Sequence, residues 1–261
     1  MTQTDKSSPS VTTQLAGLVG IMTFSNPRRH NALSQDAWLS IPGAIDDLVA
    51  KNARVIILRG DGDCFCAGAD ISEFDEVRKD AQTAQVYERA NSEAFAAIRH
   101  CQVPTIAQIN GWCLGGGFGL ASACDLRIAD PSAQFSVPAA KIGLAYPVDA
   151  MGDIVSAVGP QMAKYLHYSG KRVDAETMLS AGFLLKVVAP DELAAEVRTC
   201  AEGIASLAPL THQATKAAIA ATSSNALKEA EKLGNRTFMS SDYAEGRTAF
   251  REKRPPKFTG K

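Results

Sequence analysis

The run Asn110-Gly111-Trp112-Cys113-Leu114-Gly115-Gly116-Gly117-Phe118-Gly119, continuing to Ala123-Cys124-Asp125-Leu126-Arg127-Ile128-Ala129, holds the residues whose types and spacing say most about chemistry. Three consecutive glycines stand after an apolar strand pattern and before an apolar helix pattern. Such a junction leaves backbone N–H groups bare at a helix N-terminus, where developing negative charge is favoured. That is the wiring of an oxyanion hole. No carboxylate lies between Thr105 and Cys124, so a proton carrier must come from elsewhere in the chain or not be needed. A second segment, Cys64-Phe65-Cys66-Ala67-Gly68-Ala69-Asp70-Ile71, also follows an apolar run and combines small residues with a turn. It can present another backbone donor, and two donors converging from separate loops would hold an enolate oxygen, each worth ~10²–10³ in rate. Either segment alone reads better as a tight strand-to-helix turn packed on the core; the two together point to a site.

The flanking elements must position these loops. Leu15 to Phe24 alternates like a strand, Asn26-Pro27 breaks it, and Ser34 offers an N-cap for a helix over 35–50, with Pro42-Gly43 inside it predicting a kink or a different boundary. Val55 to Leu58 is wholly apolar and closes on Gly60-Asp61-Gly62, the pattern of a strand buried on both faces and hence of a parallel sheet. Asp80 can cap a helix to about His100, on which Ala84, Tyr87, Ala94, Phe95 and Ile98 recur near helical spacing. Further strands are predicted at Thr105 to Ile109, Leu126 to Ala129, Gln134 to Val137 and Leu184 to Val188. Helices dominate beyond Asp149, which itself reads as an N-cap before Ala150-Met151. Repeated strand–helix units followed by a helical tail predict an α/β core with a C-terminal helical subdomain.

Bulk properties exclude several classes. The 261 residues carry 27 Lys+Arg against 28 Asp+Glu, so no basic field points to nucleic acid or an anionic membrane. No run of about 18 apolar residues suggests a membrane span, and the Ser/Thr-rich start lacks the apolar stretch of a secretion signal, so a cytoplasmic protein is expected. The six cysteines form no CxxC pair and the four histidines no metal spacing; the cysteines read as reduced core thiols.

Several ordered motifs carry a resemblance across nearly the whole chain. Asn26-Pro27 with Asn31-Ala32-Leu33, Cys66-Ala67-Gly68-Ala69-Asp70-Ile71, Asn110-Gly111 with Gly115-Gly116-Gly117, Ala123 to Ala129, and the tail Glu245-Gly246-Arg247 with Ala249 to Arg254 resemble the enoyl-CoA hydratase/isomerase, or crotonase, superfamily. The resemblance implies a ββα spiral core over 14–200, a flexible segment over 1–13 and a C-terminal helical subdomain over 201–261 used in trimerisation, with homotrimers that can pair into homohexamers. It implies acyl-CoA thioesters as substrate, no permanently bound cofactor, and thioester carbonyls held by the amides of Ala69 and Gly116. Contacts to coenzyme A would fall to Arg28, with Arg29 beside it, to Ala67, Asp70 and Ile71, and to Phe250 and Lys253 of the tail, the last two closing from a neighbouring subunit.

The chain departs from the resemblance where acid/base chemistry is expected. Hydratases of this family carry one glutamate three residues after the middle glycine, where this chain has Gly119, and a second after the proline of a Phe-Gly-x-Pro-Glu motif, where Phe135-Ser136-Val137-Pro138 leads to Ala139. Such groups are worth ~10²–10⁴ each, so two-glutamate hydration would be severely impaired. Tyr146, three residues after Gly143, is similar in placement to the tyrosine of methylmalonyl-CoA decarboxylases, although the histidine of those enzymes is Ala69 here. Decarboxylation reaches an enolate without a base, so Tyr146 could serve as proton donor, or equally pack on the acyl pocket with its hydroxyl bound to backbone. The readings open from sequence are a family enzyme without the two-glutamate dyad, a malonyl-type decarboxylase using Tyr146, and a non-catalytic acyl-CoA binding protein.

Overall fold

The computed structural model describes residues 9–144, 146–222 and 227–261, the side chains of 227–230 excepted. Strands β1 (Ser10–Ala16) and β2 (Val19–Ser25) form an antiparallel hairpin, followed by helix α1 (Gln35–Ala50) and strand β3 (Val55–Gly60). Helices α2 (Phe74–Val77) and α3 (Ala81–Arg99) lead to β4 (Thr105–Ile109) and β5 (Trp112–Leu114). Then come α4 (Gly116–Ala123), β6 (Leu126–Ala129), β7 (Gln134–Ser136), α5 (Val148–Ser169), β8 (Val173–Asp174), α6 (Ala175–Ser180) and β9 (Lys186–Val187). Four helices finish the chain: α7 (Leu193–Ala205), α8 (Pro209–Ala221), α9 (Leu227–Phe238) and α10 (Ser241–Glu252).

The strands make a six-stranded sheet in the order β1-β2-β3-β4-β6-β9, parallel from β2 onward, and a small sheet of β5, β7 and β8. Because side chains alternate across a strand, each face of the large sheet builds its own core. Met22, Phe24, Ile56, Leu58 and Ala107 face the main core with Trp38, Phe95 and Phe118, whereas Val19, Val55, Ile57, Ile106 and Ile128 face α7 through Leu193, Val197 and Ala201. This explains why β3 reads as continuously apolar.

Local chemistry sets most boundaries as expected. Ser34 accepts the Ala37 amide at 3.3 Å to start α1, and Asp80 forms a capping box with Thr83 at the head of α3. Helix α1 runs through Pro42, because its buried stripe of Trp38, Ile41, Ile45 and Leu48 outweighs the ~3 kcal/mol that an interior proline costs. Three expectations need correction. The single strand over Leu15–Phe24 is two strands, since Gly17, at φ +64°, turns the chain inside an alternation that continues on either side. Of the flexible segment expected over 1–13, residues 1–8 lie outside the described residues, but Ser10 to Thr13 already pair in β1. Asp149 is not an N-cap: α5 begins at Val148 with Pro147 in the capping position, and Asp149 sits in the first turn facing Arg99 at 3.4 Å.

Asp125 holds the junction that follows the glycine-run helix. Its Oδ2 accepts the Thr105 backbone N–H at 2.8 Å, the Thr105 hydroxyl at 3.0 Å and Lys216 Nζ at 2.8 Å, joining the start of β4 to α8. The buried Arg127 guanidinium donates to the carbonyls of Ala121 and Cys124 at the end of α4 and to Phe183, satisfying helix-terminal acceptors that would otherwise be orphaned. Among the described residues no helix is long and apolar enough to cross a membrane. Asp125→Ala leaves three donors without their acceptor and is expected to cost about 1–3 kcal/mol, read as a lower urea midpoint with an unchanged slope; an unaltered midpoint would mean that water replaces the carboxylate fully.

Candidate active site

The two loops singled out in the sequence meet. Asn26 and Asn31 set the frame: Asn31 Oδ1 accepts the Asn26 amide, Asn31 Nδ2 donates to the carbonyls of Asp61 and Cys64, and Asn26 Nδ2 donates to Ala32 O. This network fixes Leu33, whose N–H donates to Gly68 O at 2.7 Å and whose carbonyl accepts from Asp70 N at 2.9 Å. In that parallel bridge both bonds belong to the neighbours of Ala69, so the Ala69 N–H itself points to the other side of its strand-like segment. Gly68, at φ +99°, presses against the glycine run so closely that a Cβ there would stand 2.8 Å from Leu114 O and 3.0 Å from Gly116 N. Only glycine meets both conditions.

On the other side, Gly115 turns the chain at φ +51°, and Gly116 opens α4, so its amide has no partner inside the helix. The Gly115 carbonyl accepts from Gly119 N at 3.1 Å and from the Tyr146 hydroxyl at 2.6 Å. Ala69 and Gly116 both line one small cavity of about 110 Å³, with Ala67, Ile71, Phe95, Ala139 and Tyr146 among its walls. Burial, and then the negative Glu88 nearby, push the Tyr146 hydroxyl above the ordinary tyrosine range. Its proton is held on a backbone carbonyl, the packing alternative open from sequence.

The two positions without glutamate have different surroundings. Ala139 is a nearly buried wall residue. At Gly119, a Cβ would come within 2.7 Å of the Phe95 ring and 3.0 Å of the Tyr146 hydroxyl oxygen. The space from which a side chain at 119 would start is occupied by neighbours.

Three polar residues in the cavity wall escaped the sequence reading: Arg78, Glu88 and Asn91. The Arg78 guanidinium lies between the rings of Phe74 and Tyr87, 4.6 and 4.3 Å from their centroids, and Arg78 Nη1 stands 2.5 Å from Glu88 Oε1. Arg78 is 8% exposed in its side chain and Glu88 26%, and Glu88 is the only carboxylate among the described residues lining this cavity. Arg78 Nε and Asn91 Oδ1 are buried with no hydrogen-bond partner, and the Arg78–Glu88 contact lacks hydrogen-bond alignment. A signal was present in the sequence: Asn91 interrupts the apolar stripe Tyr87, Ala94, Phe95, Ile98 of α3.

Of the remaining expected residues only Ile71 reaches this wall. Asp70 is buried, accepts the Ser72 amide and hydroxyl at 3.0 and 2.6 Å, and faces Arg29 at 3.5 Å. Ile71 is 70% exposed at the cavity rim, and Arg28 is exposed on the turn after Asn26. Phe250 lines a separate groove formed by the C-terminal helices, and Lys253 is the exposed left-handed residue that ends α10. One chain does not bring these two to the cavity.

Known proteins share this sequence and fold over nearly the whole chain. The model of the enoyl-CoA hydratase/isomerase family matches residues 15–261. A crotonyl-CoA hydratase of Syntrophomonas wolfei is 34% identical over 250 residues, covering 93% of this chain and 95% of that protein. The crystal structure of an enoyl-CoA hydratase/carnithine racemase from Magnetospirillum magneticum superposes with a TM-score of 0.90 at 35% identity, covering 96% of each chain. That of an enoyl-CoA hydratase from Bacillus anthracis gives 0.87 at 27% identity, over 97% of this chain and 100% of the other. With its α/β architecture, its two abutting loops and a match from residue 15 to the last residue, the chain belongs to the enoyl-CoA hydratase/isomerase family.

Proposed function

We propose that the protein is an acyl-CoA enzyme that stabilises a thioester enolate between the Ala69 and Gly116 amides and works without the two-glutamate hydration dyad. The observation that supports this reading is the abutment of Gly68 on Gly116 N, with Ala69 and Gly116 lining one cavity. That cavity, walled mostly by apolar side chains, is the space offered to the acyl group. The substrate brings coenzyme A with it, and no permanently bound cofactor enters the reading. Ala67 and Ile71 flank the thioester, Asp70 keeps their loop in shape, and Arg28 is left to meet phosphate oxygens. Phe250 and Lys253 reach the nucleotide only from a neighbouring copy in a homotrimer or homohexamer.

Tyr146 receives a positioning role in this reading. Its hydroxyl is bound to Gly115 O and its pKa is raised, so it is a weak acid already engaged. By fixing that carbonyl it orients the peptide whose N–H belongs to Gly116. A malonyl-type decarboxylation would therefore draw its proton from another group.

Two outcomes are expected. In isotope-edited infrared spectra, the thioester carbonyl band of ¹³C-labelled butyryl-CoA moves to lower wavenumber on binding, and Tyr146→Phe reduces the displacement without abolishing binding; a bound thioester whose band stays at its solution position rejects the oxyanion hole. Gly119→Glu does not create efficient hydration of crotonyl-CoA and lowers stability by about 1–3 kcal/mol through overpacking against Phe95. A folded Gly119→Glu variant as stable as the parent would refute the steric account.

A further inference from the structure

The cavity that holds the two amides contains one carboxylate, and it comes from α3 and not from the glycine run. Glu88, Asn91 and Phe95 follow one another at i, i+3 and i+7, so they share a face of that helix. Phe95 on this face meets the position that a Cβ of residue 119 would occupy, and the Tyr146 hydroxyl meets it as well. Glu88 is close enough to that hydroxyl to disfavour its ionisation. Glu88 stands two turns before Phe95 on that face and lines the same cavity as Ala69, Gly116 and Tyr146.

The environment of Glu88 is unusual for a structural ion pair. Arg78 is held by two aromatic rings, is nine-tenths buried and leaves Nε unpartnered, while Asn91 Oδ1, equally buried, has no donor. A buried polar atom left without a partner costs about 1–3 kcal/mol. These atoms are sealed from solvent, so packing more than hydrogen bonding holds Arg78 and Asn91 beside the cavity that Glu88 lines.

We infer that Glu88 is the proton-transfer group of this site, replacing from helix α3 the carboxylate that the glycine run lacks, with Arg78 and Asn91 as its positioning partners. The inference rests on the enolate reading above. Glu88 takes the proton from the carbon next to the thioester, and the C–H electron pair moves into the bond to the carbonyl carbon. The thioester oxygen gains the negative charge between the Ala69 and Gly116 amides. The Glu88 carboxyl exchanges its proton with solvent while the enolate is held, and return of that proton to the same carbon restores the thioester, so the cycle needs water alone as co-reactant.

In D₂O this cycle replaces the α-hydrogens of butyryl-CoA by deuterium, which mass spectrometry follows directly. The expected result is exchange catalysed by the full-length protein and slowed about 100-fold in Glu88→Gln. Butyryl-CoA affinity should stay unchanged within about threefold. The acidic limb of the pH–rate profile should disappear in that variant, a change that loss of an ion pair alone would not produce. Glu88→Asp, which keeps the charge beside Arg78, should retain measurable exchange and serves as the comparison if Glu88→Gln does not fold. Exchange in Glu88→Gln at the parent rate, or no exchange by a parent protein that does lower the carbonyl wavenumber, overturns the assignment of Glu88 and leaves the two amides standing. An undisplaced carbonyl band sinks the enolate reading itself.

Discussion

One close approach organises the molecule: the backbone of Gly68 lying on the amide of Gly116. Nothing larger than hydrogen fits on Gly68, and the surrounding structure exists largely to hold the two segments at that distance. The Asn26–Asn31 network secures the first through Leu33. The second is pinned at both ends of α4, by the Tyr146 hydroxyl on Gly115 O and by Arg127 on the terminal carbonyls. Parallel strands β3 and β4 end on the same side, the first leading to the Ala67–Asp70 loop and the second through β5 to the glycine run, and open α/β sheets place their sites outside such carboxyl ends.

The glycine run turns out to have two physical jobs. At Gly115 it supplies a backbone conformation. Downstream it supplies space, since side chains at Gly117 and Gly119 would drive into Cys66 O and the Phe95 ring respectively. The absence of a carboxylate at 119 is thus a packing property as much as a chemical one, since Phe95 of α3 and the Tyr146 hydroxyl occupy that volume. Glu88 and Asn91 come with that helix, and Arg78, at the end of α2, completes the polar wall.

The parts of this arrangement legible in sequence are those written in local chemistry. The glycine run, the Ala67–Asp70 loop, the Ser34 and Asp80 caps and the doubly buried β3 follow from residue type and spacing within a few positions. The hairpin at Gly17 was hidden because the alternation of Leu15 to Phe24 continues through the turn, and Val11-Thr12-Thr13, β-branched residues suited to a strand, sit inside a Ser/Thr-rich stretch that reads as a tail. Arg78, Glu88 and Asn91 were illegible for a different reason. Their meeting depends on the rotation of α3 about its own axis, fixed by Tyr87, Phe95 and Ile98 against the core and by the Arg99–Asp153 pair, with 2.6 and 2.7 Å contacts, to α5. Only the polar break at Asn91 in an apolar stripe hinted at it.

Behind the abutting loops, Cys66 and Cys113 lie in paired backbone segments with Cys64 and Cys124 near them, all buried and none in a disulfide. Burial pushes the Cys66 and Cys124 thiols up to about 12 and the Cys64 thiol to about 11, and drives Cys113 well above its usual value. A thiol alkylates through its thiolate, so at neutral pH these sulfurs are poor nucleophiles. Small, soft side chains thus fill the back of the glycine run closely while keeping their protons.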